Sequence, residues 1–188
     1  MRPGSGFVGE EATAQIEPLQ GAGLTVHRDE TLQVATLRYL EAGGAFARAV
    51  HEATGVALPQ VLRATSARGG ELILAWRSPT ETLLLAGEAA LSELEARLAQ
   101  AADGCLVNLS GGLKVLRVTG EGIADLLCRL GGTGSIPQPG EARRSRMADV
   151  PVVALSLTAG ETLLVVDRAY TEHLMGWIRE TLLDFAGA

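Results

Sequence analysis

The chain has 188 residues, 47% of them hydrophobic and 20% charged, with a formal net charge of −6. This composition excludes a disordered chain and leaves one large domain or two small ones in contact. The acidic balance argues against nucleic acid as a partner, since such binders gain affinity by neutralising phosphates with a basic surface.

Membrane partners are not expected either. No apolar run nears the roughly 20 residues of a bilayer span, and the opening MRPGSGFVGEEA has no apolar signal core. A cytoplasmic location is the expectation. Aromatic residues are only 4%, so the core must be built from Leu, Val and Ala.

In chain order, residues 1–22 show no periodicity and read as a loose N-terminal arm. LQVATLRYL (32–40) alternates as a strand does, and GAFARAVHEATG (44–55) has Phe46, Val50 and Ala53 at helical spacing with Gly55 as its stop. ELILAW (71–76) and ETLLLA (81–86) are apolar runs around RSPT, where Ser78-Pro79 marks a hairpin. The 89–101 segment puts Leu91, Leu94 and Leu98 on one helical stripe, and CLVNLS (105–110) is a strand.

The rhythm then restarts. GLKVLRVT (112–119) reads as a strand and EGIADLLCRL (121–130) as a helix capped by Thr119. Residues 131–142, GGTGSIPQPGEA, form a long irregular stretch of the kind that often carries function. RRSRMA (143–148), VPVVALSL (150–157) and ETLLVV (161–166) are strands, the last two joined at Ala159-Gly160. The 169–185 helix has Tyr170, Leu174, Trp177, Ile178, Leu182 and Phe185 at spacings of three and four, with Gly187 beyond it. The expected class is α+β: two ferredoxin-like βαββαβ-type units, 23–110 and 111–188, packed together as one compact domain.

The segment LKVLRVTGEGIADLL (113–127) has the strand–turn–helix outline of a phosphate site. A dinucleotide fingerprint needs a third small residue, but Asp125 stands there, and Glu121 lies between Gly120 and Gly122. Both carboxylates suit a helix N-terminus and repel phosphate, so the expectation is a plain β–α turn that binds no nucleotide. His27, His51 and His173 are scattered, and Cys105 and Cys128 lie far apart. No metal site is expected, and the cysteines read as small core residues. Lys114, the only lysine, reads as a solvated edge charge. Arg143, Arg144 and Arg146 suit an anion or a partner's carboxylates as well as a solvated strand face. Trp76 and Trp177 suit core packing or, alternatively, an interface.

Several segments together are similar to one family. AFARAVHEATGVALP (45–59), LAWRSPTETLLLA (74–86), LVNLSGGLKVLRVTGEGIADLL (106–127) and VDRAYTEHLMGWI (166–178) resemble, in matching order, the gamma subunit of heterotetrameric sarcosine oxidase. That family is related to the folate-binding aminomethyltransferase T-protein. The departures are RLGGTGSIPQPGE (129–141) in place of the family's C-P-L-D-L segment, and Thr82 in place of a hairpin tryptophan.

The resemblance implies an accessory subunit with no catalytic, metal or cofactor-binding residues of its own. It also implies a large alpha and a flavin-bearing beta subunit as partners, in a complex using FAD, FMN, NAD and tetrahydrofolate. Arg143, Arg144, Arg146 and Trp76 are the residues expected at the subunit interface. The alternatives are a stand-alone folate- or pterin-binding protein and a regulatory protein that keeps only the fold.

Overall fold

The computed structural model describes residues 18–186. The expected N-terminal arm lies outside the described residues up to residue 17, as does Gly187. The elements are β1 (Leu19–Gly21), β2 (Leu24–Arg28), β3 (Gln33–Tyr39), α1 (Ala45–Thr54), β4 (Ala64–Ala67), β5 (Leu72–Ser78), β6 (Glu81–Ala86), α2 (Glu88–Leu98) and β7 (Gly104–Asn108). They continue with β8 (Leu113–Gly120), α3 (Ile123–Gly131), β9 (Glu141–Met147), β10 (Val150–Thr158), β11 (Glu161–Asp167) and α4 (Thr171–Ala186).

Two antiparallel sheets result, ordered β4-β5-β6-β3-β7 and β1-β2-β8-β11-β10-β9. In the first, β3, β5, β6 and β7 with α1 and α2 make a ferredoxin-like unit, to which β4 adds an edge. The second repeats this plan with β8, α3, β10, β11 and α4, and β9 takes the place of β4. Its last strand, however, comes from the other end of the chain. β2 pairs with β8 from Leu24↔Gly120 to Arg28↔Leu116. Residues 24–28, read from sequence with the first unit, therefore belong to the second sheet, and β1 extends that sheet from within the expected arm.

Strand alternation sends each sheet's side chains to two faces. One face of the first sheet packs Leu37, Leu72, Leu74 and Leu84 against Phe46, Val50, Leu91 and Leu94 of its helices. One face of the second packs Val26, Leu116, Val118 and Leu164 against Leu126, Leu127, Leu174 and Ile178. The two remaining faces meet, and Ile73, Leu83, Leu85, Val115, Val153, Leu163 and Val165 form a third core between the sheets. The order is thus helices, sheet, sheet, helices. Edge strands tie the sheets together, since Ala64 N–H donates to Gly140 O at 2.9 Å and Ala142 N–H to Leu62 O at 3.0 Å.

Three further expectations fail. α3 begins at Ile123, and its N-cap is Gly122 with no side-chain bond, so Thr119 caps nothing. Cys105 and Cys128 are both exposed. Cys105 lies on the edge strand β7, and Cys128 lies on α3 opposite the buried Leu126, Leu127 and Leu130. Trp177 is 54% and Tyr170 46% exposed, because the stripe of α4 that meets the sheet is Leu174, Met175, Ile178 and Leu182.

Candidate functional site

The layer between the sheets is closed at one end and open at the other. At the closed end, Arg117 donates from Nε and Nη2 to one oxygen of buried Asp29, at 2.9 and 2.6 Å. It also pairs with Glu161. Burial pushes the Asp29 carboxyl up, but hydrogen bonds from Thr31 and Arg117 and the guanidinium charge outweigh it and hold the group below its ordinary value.

At the open end the sheets leave a cleft of about 490 Å³. On β9, Ala142 belongs to the inter-sheet core, so Arg144 and Arg146 follow it on the same face. On β5, Ile73 and Ala75 face that core, and Arg77, at a bulge between Trp76 and Ser78, lines the cleft from the opposite sheet. Leu83, Val153 and Val165 supply an apolar floor, with Asp167 and Tyr170 at the side. Asp167 is oriented by the Ala169 N–H, which donates to it at 2.9 Å. Arg77 lies 3.8 Å from Glu81, and Arg146 donates to the Asp149 carbonyl. The ion pairs of this region, among the described residues, include none to Arg144.

The expected interface residues thus divide. Arg144 and Arg146 enter the cleft together. Arg143 points to the other face of β9 and is held by Glu141 at 2.8 Å. The Gln138 N–H and Arg143 in turn keep the Glu141 carboxyl below its ordinary value. Trp76 lies elsewhere, in a groove of about 510 Å³ with Pro59, Pro79 and the 65% exposed Val61. Sequence reading missed Arg77 because RSPT reads as turn and because a bulge between Trp76 and Ser78 interrupts the alternation there.

The glycine turn has a structural account. Gly120 has φ +126°, and a Cβ there would lie 2.1 Å from the Gly23 carbonyl oxygen. A Cβ on Gly122 would lie 3.2 Å from Leu24 Cδ1. The chain's own β1–β2 hairpin occupies the space beside the α3 N-terminus. Among the described residues no group of three His, Cys, Asp or Glu is placed to hold a metal ion. No helix among them is long and apolar enough to cross a membrane.

Comparison with known proteins gives a consistent result. The family model described as sarcosine oxidase, gamma subunit family, matches residues 38–183. The fold is similar to a chain of the heterotetrameric sarcosine oxidase from Corynebacterium sp. U-96, solved in complex with pyrrole 2-carboxylate. That match has a TM-score of 0.76 and 24% identity, over 88% of this chain and 86% of that one. It is similar also to the glycine cleavage system aminomethyltransferase T from Bartonella henselae, with a TM-score of 0.64 and 16% identity, over 84% of this chain and 46% of that one. No curated protein sequence matches.

Proposed function

Because the chain belongs to the sarcosine oxidase gamma subunit family, we propose that it is an accessory subunit of a complex that oxidatively demethylates sarcosine. In this reading the flavins, NAD and tetrahydrofolate sit on the larger partners. Tetrahydrofolate takes the one-carbon unit there, and this chain docks on the large subunit without contributing reacting groups.

The observation that carries the docking role is Trp177. It stands 54% exposed on the outer side of α4, two turns beyond the exposed Tyr170. An indole left in water gives up a large apolar contribution, and tryptophan is among the residues that most often anchor interfaces.

The test is reconstitution of the native complex with the Trp177→Ala chain. Weakened assembly is expected, with full flavin-linked sarcosine turnover restored when the variant is saturating. Assembly at wild-type affinity would remove the docking role. Normal assembly with lost turnover would show that this chain takes part in the chemistry.

A further inference from the structure

We propose that the cleft between the two sheets is a binding site for a small, flat, apolar ligand bearing two carboxylates. Three observations lead there, none of them concerned with α4 or with docking on a larger subunit.

The first is convergence. Arg144 and Arg146 come from an edge strand of one sheet and Arg77 from the other, so arginines of both sheets line the cleft, with Asp167 as the carboxylate among its lining residues. In a chain of net charge −6 this is a local reversal of sign. Arginine's planar fork matches a carboxylate in a two-point contact, and Arg144 has its fork free of any ion pair among the described residues.

The second is spacing. Arg144 and Arg146 are two residues apart on one strand, so their stems stand about 7 Å from one another on the same face. Two separated carboxylates on one rigid body fit that spacing, one to each arginine.

The third is the floor. Leu83 and Val165 are at most 4% exposed and belong to the core between the sheets. Packed sheets stand about 10 Å apart, so a cleft lined by both of them takes a flat body edgewise. A volume of about 490 Å³ falls within the usual range of small-molecule sites. The opposite end of the same layer is arranged differently. There Arg117 is matched internally by Asp29 and Glu161.

The experiment titrates the full chain with terephthalate, with its neutral diamide, and with inorganic phosphate. Binding is followed by calorimetry and by the methyl resonances of Leu83, Val153 and Val165. Terephthalate should bind saturably and shift those methyls, while the diamide and phosphate do neither. The Arg144→Gln/Arg146→Gln variant and, separately, Arg77→Gln in the opposite sheet should each weaken terephthalate by about tenfold or more. The proposal is overturned by equal binding of the diamide, by equal binding of phosphate, or by variants that bind terephthalate as the wild type does. Should a variant not fold, the contrast between dicarboxylate and diamide on the wild-type chain decides alone.

Discussion

Arg117 grips Asp29 through two donors on one carboxylate oxygen, at 2.9 and 2.6 Å, while the other oxygen accepts the Thr31 N–H at 3.0 Å. The pair joins the segment just after β2 to the middle of β8. Asp29→Asn should therefore cost about 1–3 kcal/mol of stability, the usual range for losing hydrogen bonds to a charged partner. Urea unfolding at neutral pH measures it.

The same pair sets a pH dependence. Asp29 has a lower pKa in the folded chain than in the unfolded one. The ionised form therefore stabilises the fold above the ordinary aspartate range, and this contribution fades as pH falls through the lowered native value. The stability gap between wild type and Asp29→Asn should be full at neutral pH and shrink in acid. A gap that widens on acidification would contradict the assignment.

Gly104 lies under the ring of Phe46, and a Cβ there would come 2.3 Å from Phe46 Cγ and 2.5 Å from the Arg38 carbonyl oxygen. Gly104→Ala must push the fully buried ring aside, at about 1–3 kcal/mol. Gly111→Ala, with open space around it, is the matched control and should stay within about 0.5 kcal/mol.

Gly120→Ala should cost about 2–4 kcal/mol, since it adds a left-handed strain to a collision with the Gly23 backbone. Because hairpin backbone fills that side of the turn, titration of the wild-type chain with NAD, FAD or ATP should give no saturable signal there. A nucleotide whose binding perturbs the Gly120 and Gly122 amides would refute this account.

Trp177→Ala should leave the urea midpoint of the isolated chain nearly unchanged, within about 0.5 kcal/mol, as befits an exposed side chain. A core tryptophan would cost about 3–5 kcal/mol, which makes the two placements easy to tell apart.

Local patterns carried the sequence reading a long way. Alternation found β3, apolar runs found β5 and β6, β8, β10 and β11 were read as strands too, and the stripes of α1 and α2 came out on the correct residues, because these signals are set by near neighbours. The failures have a common physical origin in distance along the chain. The residues Leu24–Arg28 become a strand only by meeting β8 some ninety positions later. In α4, spacings of three and four fit Leu174 and Ile178 but also admit Tyr170 and Trp177, and only the position of the sheet selects the stripe. Arg144 and Arg146 were visible as a cluster, but their partner across the cleft, Arg77, comes from another sheet, and Arg143 turns out to face away.

The borrowed strand makes the first unit, in effect, an insertion inside the second. β2 leaves the ribosome before β3 yet has no partner until β8 has been made, so the earlier unit completes its sheet while the later one waits with one strand already in hand. Gly21 of β1 lies beside Leu182 near the end of α4, where a Cβ would be 3.3 Å from the leucine's own. A rearranged chain that begins ahead of β8 and carries β1 and β2 after α4 would hold each unit in one uninterrupted stretch. The native order instead makes neither half of the chain, cut between β7 and β8, sufficient to build the second sheet.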